Sequence, residues 1–265
     1  MDTFSIITVI LTALFIFIFY FFQRKKKISV PENFPETYRA ILIEHVPFYF
    51  QLNDRDKKHF EDRMLTFLSQ VKITGVKTLV EDLDRVLIAS SAIIPIFAFV
   101  GWEYVQLHEV LLYPDSFGHE FEQKGSDRNV LGMVGSGALN HIMILSQNEL
   151  RQAFSNKTGK TNTAIHEFVH LVDKTDGAID GIPEFLLEKK YILPWLQLMH
   201  KNINEILAED SDINSYGATN ESEFFAVVSE YFFERPDLLK IKHPELYELL
   251  SKIFHQQPTD TNNYQ

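Results

Sequence analysis

The segment TNTAIHEFVHLVDKTDG places His166 and His170 four residues apart, with Glu167 directly after the first of them. On a helix, positions i and i+4 share one face a turn apart, so both imidazoles can reach one metal ion. The residue after the first histidine points to a neighbouring sector, which suits a carboxylate that takes a proton from water at that ion. The flanks favour a helix: Thr161, Asn162 or Thr163 can cap its start and Gly177 can end it. The same residues also make an ordinary amphipathic helix with Ile165, Val169 and Val172 turned inward, so the pattern alone is a hypothesis. A catalytic ion needs a third protein ligand and an open position. The chain has no cysteine, which leaves His, Asp or Glu for that ligand. Asp173 is the nearest acid, and it reads equally as a polar residue hydrogen-bonding beside the ligands. Glu223 is the better candidate: it precedes the apolar run FFAVV, and a carboxylate opening a buried helix needs a partner. Asn220-x-x-Glu223 also fits a capping box with Glu223 folded back on the backbone, and helix physics does not choose between the two.

The elements that must position these residues are mostly helical. Residues 39–70 read as helix, with Phe60, Met64, Phe67 and Leu68 recurring at helical spacing after a polar start at Asn53–Asp54. Helical patterns return over 160–174 and 183–254. Short strands are expected at 107–113 and 141–146, with Pro114, Gly132, Gly135 and Gly137 marking loops between them. The strand Ile142–Ser146 would lie at a sheet edge beside the site, where an extended peptide can pair. Val86–Trp102 carries no charge, but it is short for a membrane span and contains Pro95. It reads as a buried helix that ends or kinks near that proline. The body is therefore expected to be one α-rich α+β domain with a small sheet over 39–255, entered through a proline-containing linker at 28–38 and followed by a disordered tail at 256–265.

HEFVHLVD, followed further along by SYGATNESEFFAVVSEYFF, resembles the MtfA (Mlc titration factor A) family of bacterial zinc metallopeptidases. RVLIAS, VLLYPDSF and the ILS strand look like earlier landmarks of the same family. The SYG-x-TNE-x-EFFA wording is also similar to the catalytic domain of anthrax lethal factor, a zinc endopeptidase. The resemblance implies a zincin-like fold, one Zn²⁺ per chain held by His166, His170 and Glu223, and Glu167 as general base. It further implies that Tyr216 assists catalysis, donating a hydrogen bond to the oxyanion; a packed turn tyrosine is the alternative, given Gly217 beside it. Val227 stands where some such enzymes carry an outer acidic residue, and Glu230, a turn further, either substitutes for it or is a solvated helix residue. The implied activity is hydrolysis of peptide bonds in a peptide or protein substrate. The family's namesake also sequesters a transcriptional repressor, so the competing expectation is a regulatory binding protein whose partner is a transcriptional regulator. The remaining histidines have no ligand spacing, and His141, beginning the expected edge strand, is the one of interest.

Charge is unevenly spread. Four of the 25 basic residues are Arg24, Lys25, Lys26 and Lys27, against the single acid Asp2, which leaves 21 basic against 35 acidic residues in the remainder. A body this acidic has no electrostatic driver for the phosphate backbone, so direct nucleic-acid binding is not expected. Phe4–Phe22 is free of charge and rich in Ile, Leu and Phe. A helix of that length matches the roughly 30 Å hydrocarbon core of a bilayer. A cleaved signal peptide fits poorly, because the segment lacks a basic start and no small-x-small site comes after it. Residues 1–27 therefore read as a transmembrane anchor with a basic flank. The four cations behind the span place the rest of the chain in the cytoplasm, giving a single-pass protein of the cytoplasmic membrane. A body of this charge would be repelled by an anionic inner leaflet and held off it by the 28–38 linker.

Overall fold

The computed structural model describes residues 33–115, 132–134, 141–156 and 158–258, together with Thr12, Ile28 and Pro31. In chain order the elements are α1 (Glu36–His45), α2 (Pro47–Gln51), α3 (Asp54–Gln70), β1 (Lys72–Gly75), α4 (Asp82–Ile96), β2 (Glu109–Tyr113), β3 (Gly132–Val134), β4 (Ile142–Ser146), α5 (Gln147–Ser155), α6 (Thr163–Asp173), α7 (Lys189–Leu207), α8 (Glu221–Glu234), α9 (Pro236–Lys242) and α10 (Pro244–Phe254). This is an α-rich α+β fold with a small mixed sheet. Strand order is β1-β2-β4-β3. The first three strands are parallel, and β3 runs antiparallel to β4 with Met133 opposite Ile144.

That topology corrects the expected edge. Ile142–Ser146 is a strand, but β3 lies outside it and takes the edge position among the described residues. Gly132, expected in a loop, opens β3. Burial explains the arrangement, since Met143, Ile144, Leu145 and Ser146 of β4 are all buried, as suits a strand with neighbours on both sides.

The charge-free run after Val86 is a buried helix. Every α4 residue from Val86 to Ile96 is buried, and Pro95 lies in its last turn, one residue before the helix ends, as expected of a residue that cannot donate back to the preceding turn. Ser90 and Ser91 donate back to the carbonyls of Val86 and Leu87 at 2.7 and 2.9 Å, so their hydroxyls enter the core satisfied. The orphan carbonyls at its C-terminal end are met from two sides. Arg63 donates to Ile96 at 2.5 Å and Phe97 at 3.1 Å, and Gln256 donates to Ile94 at 2.9 Å. At the other end, buried Asp84 accepts from Arg151 Nε at 2.8 Å and Nη2 at 3.0 Å, joining α4 to α5. Among the described residues no helix is long and apolar enough to cross a membrane. The expected anchor at 1–27 falls, save for Thr12, outside those residues.

Two flanking segments are packed more closely than expected. Within 28–38, Ile28 N–H donates to the Ser69 carbonyl at 3.2 Å, and Phe34 and Tyr38 are buried edge to face. At the tail, Pro258 accepts from Tyr247 at 3.1 Å and Gln256 serves α4 as above, while 259–265 lie outside the described residues.

The core forms around α4, against which α6 packs. Phe168 of α6 is fully buried, with its ring centroid 5.7 Å from Phe67 and 5.1 Å from Tyr104. α8 lies along the other side of α6, where Phe224, Phe225 and Phe232 are buried and Trp195 of α7 sits 5.8 Å from Phe225. Full burial of such side chains contributes about 1.5–3 kcal/mol each. The α6–α8 contact is therefore a rigid base for side chains directed between the two helices.

Candidate metal centre

Helix α6 starts where expected. Asn162 is its cap, its Oδ1 accepting from Ile165 N–H at 3.2 Å. One face of the helix packs Ile165, Phe168, Val169 and Val172 inward, and another brings His166 and His170 toward α8. Helix α8 is capped by Asn220, whose Oδ1 accepts from Glu223 N–H at 2.9 Å. The Glu223 carboxylate does not fold back to complete a capping box. It turns to the histidines, with Oε2 at 2.9 Å from His166 Nε2 and 3.4 Å from His170 Nε2. The two Nε2 atoms are 3.1 Å apart.

His166, His170 and Glu223 thus present three converging donor atoms, and they are the group able to hold a metal ion among the described residues. Ligands about 2.0–2.2 Å from a tetrahedral ion are separated by roughly 3.3–3.6 Å, a little wider than the 2.9, 3.1 and 3.4 Å sides of this triangle. The outer ring nitrogens are also engaged. His166 Nδ1 meets Glu230 Oε1 at 2.7 Å, and His170 Nδ1 meets Ser222 Oγ at 3.1 Å. Such partners fix the ring orientation and leave the Nε2 lone pairs directed at the ion site. Donor chemistry, spacing and ring orientation all fit one bound metal ion.

Without a metal, the electrostatics of the group are strongly coupled. Burial opposes charge on His166, but its hydrogen bonds to Glu223 and Glu230 outweigh that and lift it to about 10. Burial raises Glu223, and its bonds to the two histidines outweigh that in turn, holding it down at about 2. Glu167 ligates nothing in the triangle. Burial raises its pKa, opposed by both histidines and reinforced by Glu223 and Glu230. It is a carboxylate biased toward holding a proton, at the side of the donor triangle.

The structure also places the other residues singled out from sequence. Tyr216 lies in a 3-10 turn, Ser215–Ala218, half exposed, with its ring 6.0 Å from that of His166. Burial, then Glu223 and Glu167, raise its hydroxyl pKa. Asp173 is buried at the end of α6, where its Oδ2 accepts from Gly181 N–H at 2.9 Å. Glu230 is buried against His166 and also accepts from Asn162 N–H, which excludes the solvated alternative. His141 stacks on His108 at 4.4 Å and takes no part in the triangle.

Sequence reasoning missed Ser222, Gly132 and Gly181. A Cβ on Gly132 would stand 2.8 Å from Glu167 Cγ and 2.9 Å from its Oε1, so β3 passes over the glutamate closely enough that a side chain there would force one of the two to shift. The available signal was a glycine beside β-branched and apolar residues, which local patterning assigns to a turn.

A fold and site of this kind define a class, the metallopeptidase-type metalloproteins. The chain belongs to the glucose-regulated metallo-peptidase M90 family, whose family model matches residues 20–255. The expected kinship with the MtfA family holds among individual relatives. Mlc titration factor A of Pectobacterium atrosepticum is 26% identical over 230 residues, covering 80% of this chain and 84% of that protein. Mlc titration factor A of Serratia proteamaculans is 30% identical over 167 residues, or 57% and 61% of the two chains. Uncharacterized protein slr2042 of Synechocystis sp. is 30% identical over 239 residues, 84% of this chain and 85% of its own. The match begins at residue 20, so the apolar segment 4–22 lies almost wholly ahead of it.

Proposed function

We propose that the protein is a membrane-anchored zinc peptidase that hydrolyses peptide bonds with Glu167 as general base. The observation that carries the reading is the convergence of His166, His170 and Glu223 donor atoms with buried Glu167 beside them. Bound zinc supplies Lewis acidity, acidifying water toward a pKa of about 7 and polarising a carbonyl. The chain's own residues do the rest. Glu167 takes the proton of the attacking water on its carboxylate and later gives it to the leaving amine. Its burial raises its basicity for this task. Tyr216, at the open side of the site, donates a hydrogen bond to the developing oxyanion. The edge of β3 beside Glu167 offers main-chain groups to an extended substrate.

The deciding experiment is a peptide-library assay of zinc-loaded wild type against Glu167→Gln. Hydrolysis is expected to disappear while zinc stoichiometry stays at one per chain. Cleavage that survives the substitution overturns the mechanism.

The name of several relatives, Mlc titration factor A, supports a second reading, a binding protein for a transcriptional regulator with hydrolysis secondary or absent. Undiminished regulator binding by Glu167→Gln, with no cleavable peptide found for wild type, selects it. For the address, the charge-free Phe4–Phe22 run and the cations behind it support a single-pass anchor in the cytoplasmic membrane with the metal site facing the cytoplasm. Release of the full chain from membranes by alkaline carbonate counts against that address.

A further inference from the structure

The turn carrying Gly181 touches α6, α7 and α8 through a single residue. Its N–H donates to Asp173 Oδ2, at the last residue of α6, at 2.9 Å. Its carbonyl accepts from Trp195 Nε1, in α7, at 2.7 Å. Its α-carbon lies against the first turn of α8: a Cβ there would be 2.3 Å from the Glu221 carbonyl oxygen and 3.1 Å from Ser222 N. The obstructing atoms are backbone, so they cannot swing aside. Gly181 also has φ +75°, a conformation that side-chain-bearing residues rarely adopt.

This arrangement is costly. Asp173 is a carboxylate only 1% exposed, and it sits at the C-terminal end of a helix, where the dipole disfavours negative charge. Trp195 is fully buried, and its indole N–H finds its acceptor in this same peptide. What the junction holds next to one another are the ends of α6 and α8 that carry the donor groups. His170 lies three residues before Asp173, and Ser222 and Glu223 come directly after the Glu221 carbonyl that Gly181 contacts.

We propose that Asp173 and Gly181 are positioning residues for the metal centre, fixing the first turn of α8 against α6 so that Glu223 reaches the ion and Ser222 orients His170. The inference rests on the ligand set proposed above and deepens it. It assigns Asp173 a place outside the ligands, acting through the Gly181 peptide.

The test is zinc affinity of the full-length chain, measured by competition with a chromogenic chelator alongside thermal unfolding, for Asp173→Ala, Asp173→Asn, Gly181→Ala, Glu223→Gln and the Gly181→Ala/Glu223→Gln pair. Groups that orient ligands typically contribute 10- to 100-fold in metal affinity, and a loss of about that size is expected for Asp173→Ala and Gly181→Ala. Asp173→Asn keeps an oxygen acceptor for Gly181 N–H and should retain most of the affinity. Gly181→Ala should lose less in the Glu223→Gln background than in wild type, because part of its effect runs through Glu223. Wild-type zinc affinity in Asp173→Ala and Gly181→Ala, or fully additive losses in the pair, overturns the proposal. If Gly181→Ala does not fold, the Asp173→Ala and Asp173→Asn comparison decides: equal affinities overturn it. Wild-type affinity in Glu223→Gln alone would instead sink the ligand set and is read separately.

Discussion

Glu230 and His166 are joined through one short hydrogen bond, Oε1 to Nδ1 at 2.7 Å, across the α6–α8 interface. The second Glu230 oxygen accepts from the backbone N–H of Asn162, the cap of α6. One buried carboxylate therefore fixes both the orientation of the His166 ring and the start of the helix that carries it. Glu230→Ala should weaken zinc binding by about 10- to 100-fold. It should also lower stability by about 1–3 kcal/mol, because Asn162 N–H loses its buried acceptor. Chelator competition and urea unfolding read the two effects. Unchanged affinity would show that His166 needs no orienting partner.

How much of the fold and site was legible in the sequence depended on whether local pattern carried the information. Helix α6 announced itself through an apolar period, a cap and a histidine spacing that all agree. Glu223 was ambiguous because an acid three residues after Asn220 serves a capping box as well as a metal. Only the direction of its side chain separates the two, and that is set by the packing of α8 on α6. The charge-free run Val86–Trp102 resembles a membrane span in composition, and its shortness and Pro95 were the clues to its burial. β1 and β3 were not found, since Lys72–Gly75 and Gly132–Val134 are too short to show a period of two. Taking β4 for the edge came from missing β3. Gly181 and Ser222 had no local signal, because their roles exist only once α6, α7 and α8 are assembled.

Gly132 leaves the room in which the Glu167 carboxylate lies. A methyl group there would approach Glu167 Cγ at 2.8 Å and Thr163 Cγ2 at 2.7 Å, so the glutamate or the strand must shift. Displacement of a catalytic group by about 1 Å can cost on the order of 100-fold in rate. Gly132→Ala should therefore reduce kcat by about tenfold or more while zinc stoichiometry stays at wild type. A variant with undiminished kcat would mean that β3 yields freely and does not set the position of Glu167.

Tyr216 separates a catalytic from a packing role by its hydroxyl alone. The ring is half exposed and stands 6.0 Å from His166, so the core does not depend on it. Tyr216→Phe keeps the ring and removes the donor. Loss of one oxyanion donor costs about 100- to 1000-fold in kcat in well-studied cases. The expected signature here is a kcat loss in or just below that range, with KM, zinc affinity and melting temperature near wild type. A change confined to KM would assign Tyr216 to substrate binding.

Asp212 gives the fold a pH dependence away from the metal centre. Its carboxylate accepts from His243 Nε2 at 2.8 Å, Tyr231 Oη at 2.9 Å and Lys160 Nζ at 3.1 Å, and pairs with Lys242 Nζ at 3.2 Å. These contacts tie the lead-in to α6 to α8 and to the α9–α10 corner. Burial raises the pKa, but the four partners outweigh it and hold the group well below the usual carboxylate range. A folded pKa below the unfolded one, near 3.9, means the stabilisation is complete above that value and is lost as pH falls toward the folded pKa. Asp212→Asn should therefore cost about 1–3 kcal/mol near neutrality. The gap to wild type should narrow by about 1.4 kcal/mol per pH unit below pH 4. Urea unfolding of both proteins at pH 7 and pH 3 measures it, with zinc affinity at pH 7 expected to be the same in the two. A gap that stays constant between the two pH values would show that the Asp212 charge contributes nothing and that only its hydrogen-bonding shape matters.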